Sequence, residues 1–153
     1  MKSVVAIIEL SDDLLPLVPA SRPRVGSRGV YYQDAYRSWK ESASLFFSLH
    51  SVKPKLLEHE ALVLYVQYGG YFPRKSDRDN IEKAVLDALK SAGCIKDDNL
   101  KRCPAGFFDA LSWWSSSKKD SPWCRLVFFD ISKRRPLSPT EAIEKVAAAL
   151  GLE

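Results

Sequence analysis

The stretch from Ala61 to Gly93 constrains the fold most. Ala61-Leu-Val-Leu-Tyr-Val-Gln-Tyr68 is a β-branched and aromatic run that reads as a strand, ended by Gly69-Gly70. A short basic connection over 71–78 carries Arg74, Lys75 and Arg78. Beyond it, Ile81, Ala84, Val85, Ala88 and Leu89 recur at helical spacing as one apolar stripe, and Gly93 closes the helix. At about 100° per residue, Asp79, Asn80, Lys83 and Asp87 fall together on the opposite side. A strand that feeds an amphipathic helix through a short turn needs a sheet on which to bury the stripe.

The flanking sequence supplies that sheet and more helix. Residues 2–10 are β-branched and read as a strand. Ser11 to Gly29 holds three prolines and the basic group Ser21-Arg22-Pro23-Arg24-Val25-Gly26-Ser27-Arg28, and reads as a loop. Gln33 to Leu49 places Tyr36, Trp39, Ala43, Phe46 and Phe47 close to helical spacing. Phe107 to Ser115 and Trp123 to Ile131 flank a polar turn and read as a β-hairpin. Ser138-Pro139-Thr140-Glu141 is a capping box with proline at the first helical position, opening a helix that runs to Gly151. The expected fold is α+β, with a mixed, mainly antiparallel sheet packed with helices.

At 153 residues the chain suits one domain. No stretch approaches the roughly 18 apolar residues of a membrane span, and the N-terminus lacks a signal-peptide pattern. Cys94, Cys103 and Cys124 are odd in number and widely spaced, so reduced thiols and a cytoplasmic setting are expected. The net charge of +4 and pI near 9.0 allow a polyanionic partner without demanding one.

The polar face of the Ala61–Gly93 unit carries the chemistry. Asp77-Arg78-Asp79-Asn80 stands at the strand-to-helix corner, Lys83 one turn on, and the acid pair Asp97-Asp98 beyond the helix. Phosphodiester hydrolysis needs help with the charge on the attacking water, the phosphate and the departing oxygen, and Mg²⁺ held by carboxylates gives that help. Asp77 and Asp79 are spaced to share an ion, with Asp98 joining from the following loop. Asn80 is placed to orient a carboxylate or the water, and Lys83 either pairs with Asp79 or stabilises charge on the phosphate. The plainer alternative is that an aspartate here is a helix N-cap, that Asp79 and Lys83 form a surface i,i+4 pair, and that Asp97-Asp98 is a solvated turn.

Asp77-Arg-Asp79-Asn80-Ile-Glu-Lys83-Ala-Val-Leu-Asp87-Ala-Leu, then Gly93, then Asp97-Asp98, resembles the core of the RusA family of Holliday junction resolvases. Upstream, Arg22-Pro23-Arg24-Val25 with Tyr31-Tyr32 is similar to the family's N-terminal Arg-Pro-Arg segment. The resemblance spans about residues 4–130. It implies a homodimeric, Mg²⁺-dependent endonuclease (Mn²⁺ as a substitute) that nicks four-way DNA junctions symmetrically, in recombination and repair. The family's catalytic, metal-holding acids fall on Asp77, Asp79 and Asp98, and its functional lysine on Lys83; Asn80 and Asp97 are supporting residues. Ser76, Arg78 and Asn99-Leu100-Lys101 depart from the family pattern but leave each of those residues in place.

On this reading residues 1–133 are the nuclease domain and 134–153 a C-terminal helical extension of the same domain. Arg22, Arg24, Arg28, Arg74, Lys75, Arg78, Lys101 and Arg102 are the expected phosphate-binding set, since arginine's planar fork donates two hydrogen bonds at once. Tyr31, Tyr32, Tyr71 and Phe72 are candidates for base stacking, with core packing as the plainer role. His50 and His59 read as surface or capping histidines. A non-catalytic branched-DNA-binding module, or a nuclease acting on flaps or forks, is the rival reading.

Overall fold

β4 (Leu62–Gly69) is the strand around which the chain is built. In the computed structural model, which describes residues 4–152 apart from 23, 32–33, 60, 98–104, 111–112 and 131–136, seven of its eight residues are buried. Burial on both faces is what its near-continuous apolar sequence requires. On one side β4 pairs antiparallel with β6 (Trp123–Asp130), which pairs antiparallel with β1 (Val4–Glu9). On the other it pairs in parallel with β5 (Ala105–Asp109). Among the described residues the sheet order is therefore β1-β6-β4-β5, a mixed and mainly antiparallel sheet.

The expected hairpin between the two aromatic runs does not form. β5 and β6 lie on opposite sides of β4, and they run in opposite directions because β5 follows β4 and β6 opposes it. Alternating apolar residues mark both strands correctly but do not choose their neighbours. The choice is made by α3 (Arg78–Ser91), which supplies the long crossover that two parallel strands need between them.

α1 (Asp34–Ser48) and α3 cover one face of the sheet and pack beside each other. Tyr36, Trp39, Ala43 and Phe47 from α1 meet Ile81, Ala84, Val85, Ala88 and Leu89 from α3 over Ile8, Leu64, Val66, Leu126 and Phe128. Both helical stripes are thus the ones their spacing implies, with Phe46 at the margin of the core. α3 stops in a Schellman motif: Gly93 has φ +72°, its N–H donates to the Lys90 carbonyl and that of Cys94 to the Leu89 carbonyl, each at 3.0 Å. A short helix, α2 (Lys53–Leu57), lies between α1 and β4 and has proline in its first turn. The thiols of Cys94 and Cys124 are free and buried. Burial pushes the Cys124 thiol up to about 12 and raises that of Cys94 as well, so neither is a nucleophile at neutral pH.

The proline-rich stretch after β1 is more ordered than its composition implies. Asp12–Leu14 is a 3-10 turn, and β2 (Arg24–Gly26) and β3 (Gly29–Tyr31) form a small hairpin closed by Ser27 and Arg28. Trp39 Nε1 donates to the Leu14 carbonyl at 2.9 Å, and the Leu17 N–H donates to the Tyr68 hydroxyl at 2.9 Å. Leu14, Leu17 and Ala20 are buried with the core. At the other end of the chain, α4 (Pro139–Ala149) begins with the full capping box, Ser138 accepting from Glu141 N–H and Glu141 accepting from Ser138 N–H. None of its residues is buried.

Gly69-Gly70 is required by close approach. Gly70 has φ +73°, and a Cβ there would collide with the Ser121 carbonyl, where the 113–121 segment closes over the strand end. Gly70→Ala should therefore lower stability by more than about 2 kcal/mol, combining strain with overlap. Gly29→Ala, at φ +108° with open space around it, should cost only about 1 kcal/mol. Urea denaturation of the two variants measures the difference.

Candidate active site

The strand-to-helix corner at the start of α3 is fixed from below by the buried stripe and from the side by the N-terminal segment. The Ala20 N–H donates to the Asn80 carbonyl at 2.8 Å, which joins the chain just before Arg22 to the first turn of α3. The backbone leading to the basic hairpin and the acidic corner are thereby held together, although about sixty residues separate them in sequence. Asn80 acts here through its main chain.

Asp77 is the N-cap residue of α3, with φ −65° and ψ 137°, yet its side chain makes no capping hydrogen bond. Its carbonyl instead receives the Asn80 and Ile81 N–H groups at 3.1 and 3.4 Å. The carboxylate is exposed, as is that of Asp79 two residues on. Arg78 Nε stands 4.0 Å from Asp79 with both side chains well exposed, a contact too loose and too wet to neutralise the acid. Arg78 reaches more closely, at 3.5 Å, towards Glu82.

Lys83 does not pair with Asp79. Its ammonium lies 3.2 and 3.1 Å from the two carboxylate oxygens of Asp87, one turn further on. Asp87 is mostly buried, its side chain 17% exposed, and accepts a 2.7 Å hydrogen bond from the Tyr36 hydroxyl of α1. Sequence placed Asp87 on the Lys83 face but gave no sign that a hydroxyl 51 positions away would fix it.

One of the cations expected around the corner, Arg74, is placed by aromatic packing. Phe72 is buried and stacked on Tyr68 at 3.7 Å, so it is core and not a base-stacking platform. Its carbonyl accepts from Trp114 Nε1 at 3.0 Å, and the guanidinium of Arg74 lies 3.8 Å over the Trp114 ring. Trp114 therefore orients Arg74, a role the sequence did not announce. Lys75 and Arg22 are exposed, and Arg28 is exposed at the tip of the β2–β3 hairpin. Arg24 contributes its backbone to β2. Asp98, Lys101, Arg102 and Tyr32 lie outside the described residues.

Asp97 is not brought to this corner. Its carboxylate is paired with Lys90 at 2.9 Å, and Lys90 follows Asp79 by three turns, about 16 Å along the helix axis. Among the described residues no group of three or more acids, histidines and cysteines converges to hold a metal. The Asp77–Asp79 pair still fits Mg²⁺, which takes one or two protein carboxylates and keeps the rest of its shell for water and phosphate. The histidines behave as plain structural groups: His50 Nδ1 accepts from the Val52 N–H at 3.3 Å, and His59 Nδ1 meets Asp130 at 3.0 Å.

The family model described as Endodeoxyribonuclease RusA matches residues 15–103, more than half of the chain. The match takes in the basic segment, the acidic corner, all of α3 and the acid pair. No curated protein matches the chain.

The Leu17–Tyr68 bond ties this corner to the core. Tyr68 is fully buried, and burial raises its hydroxyl pKa well above the usual tyrosine range, so the hydroxyl stays neutral. Tyr68→Phe leaves the Leu17 N–H without its acceptor and should cost about 1–3 kcal/mol. Faster amide exchange over residues 15–22, relative to β4, is the signature to measure.

Proposed function

The chain belongs to the RusA endodeoxyribonuclease family, and we propose that it is a Mg²⁺-dependent, structure-selective endonuclease. Its substrate is a four-way DNA junction, resolved by paired symmetric nicks in recombination and repair. The observation that carries this reading is the state of Asp77 and Asp79. One occupies an N-cap position without capping, and the other stands one turn before a lysine without pairing to it. Two exposed acids that do neither of the structural jobs open to them, set at the positive end of a helix and among arginines, are suited to a hard cation.

Asp77 and Asp79 are the proposed metal ligands from the helix corner. Bound there, Mg²⁺ supplies an activated water and neutralises charge on the phosphate. Lys83 stands on the same face, one turn on, and is assigned to charge that develops in the transition state. Arg22, Arg24, Arg28, Arg74, Lys75, Arg78, Lys101 and Arg102 grip the backbone, making binding steeply salt-dependent and weakly sequence-dependent.

Asp98 completes the metal site in this proposal, and it is supplied by a second copy. The position of Asp97 supports that assignment. The Asp97 carboxylate is held by Lys90, whose backbone stands about 16 Å along α3 from that of Asp79, against the roughly 2 Å of a Mg–oxygen bond, and Asp98 is the next residue in the chain. In a two-fold homodimer each acid pair then serves the other protomer's corner, giving two sites for two opposed strands.

A labelled four-way junction tests the reaction. Wild type should nick it only with Mg²⁺ or Mn²⁺, and Asp79→Asn should bind without nicking, losing at least about a hundredfold in rate. Binding by wild type with no cleavage across several junction sequences would leave a DNA-binding module instead. Preferential cleavage of flaps or forks would reassign the branch. Mixing tests the shared site: Asp79→Asn and Asp98→Asn are each inactive alone, and their mixture should regain nicking through heterodimers with one intact site. No recovery in mixed dimers would place all three acids in one protomer.

A further inference from the structure

On the reading that Asp77 and Asp79 bind a divalent cation, we infer that Asp87 is a positioning residue that keeps Lys83 off Asp79. Helix geometry alone favours the opposite outcome. Side chains lean towards the helix N-terminus, and an acid four residues before a lysine pairs better than one four residues after it. Asp79–Lys83 is the favoured order and Lys83–Asp87 the disfavoured one, yet the structure contains the second.

The cause is the difference between the two acids. Asp79 is 93% exposed, so pairing with it must fix two mobile side chains in water. Asp87 is only 17% exposed and already held by the Tyr36 hydroxyl at 2.7 Å. Asp87 thus has a second anchor besides Lys83, and its mostly buried charge is stabilised where the ammonium covers both oxygens. Partial burial also weakens screening between the charges. Tyr36 is itself anchored, buried in the face of α1 that packs on the core.

The consequence falls on Asp79. A lysine paired with it would have to be displaced before a cation could bind, and would repel that cation afterwards. With Lys83 drawn back by one turn, the carboxylate keeps its full charge, and the ammonium stays on the same face behind it. Asp87 thus acts on the metal through Lys83 and touches neither metal nor DNA.

Metal affinity without DNA is the discriminating measurement. In calorimetric titration of the full chain with MnCl₂, Asp87→Asn should weaken binding about two- to fivefold, as the released lysine turns to Asp79. Tyr36→Phe should shift affinity part of the way in the same direction. Adding Lys83→Met to Asp87→Asn should restore wild-type affinity, which no general loss of structure would allow. Unchanged affinity in Asp87→Asn, or a double variant as weak as the single, would overturn the inference and leave the metal site standing. Wild type that binds no Mn²⁺ would remove the site and the inference with it.

Discussion

The candidate site depends on one act of burial, that of the α3 stripe in the core it shares with α1 and the sheet. Ile81, Val85 and Leu89 are each worth about 1.5–3 kcal/mol when fully removed from water, and Ala84 and Ala88 let the helix approach closely between them. Turning α3 about its axis to bury Asp79 and Lys83 would take about a half turn and would expose that whole stripe. The outward set is therefore fixed by the inward one. The turn that connects them is equally constrained, because Gly70 has no room for a side chain and Phe72 is stacked on Tyr68. The acids at the corner have little freedom in where they begin.

Much of this was legible in local sequence because it depends on local periodicity. The stripes of α1 and α3, the Gly93 stop and the Ser138 capping box are all set by residues a few positions apart. Pairing was less legible. β5 and β6 are recognisable strands, but their places beside β4 follow from a crossover that no strand sequence encodes. The stretch from Ser11 to Gly29 misled for a related reason. Its prolines argue against regular structure, while Trp39, Tyr68 and Asn80 fasten it from far along the chain. The same limit applies at the site: Asp77 and Asp79 are visible by type and spacing, whereas Lys83's preference for Asp87 is decided by Tyr36.

Two local rules fail at this corner, and both failures have the same sense. An aspartate at an N-cap ordinarily satisfies an amide, worth about 1 kcal/mol, and an acid before a lysine ordinarily pairs, worth a few tenths. Asp77 and Asp79 forgo both, so the corner holds less stabilisation than its sequence permits. Stability withheld at one place and present around it, in the Schellman stop, the Ala20–Asn80 bond and the buried stripe, is the pattern expected where a site serves chemistry.

Charge completes the argument. The corner carries two exposed carboxylates in a chain whose net charge is +4, and the cation between them in sequence, Arg78, makes only a loose 4.0 Å approach to Asp79. Arg74 is held over Trp114 and Arg28 stands at a hairpin tip. A phosphate drawn in by these groups would meet two negative charges at the centre unless a divalent cation cancelled them. Coulomb energy at the intermediate dielectric of a protein surface makes each such close repulsion cost on the order of a few kcal/mol. On the proposed function, the basic rim and the acidic centre are therefore not opposed features. The rim brings the backbone to the site, and the centre accepts it only when a cation is present, so binding at the cleavage position and competence to cleave are coupled through the same two aspartates.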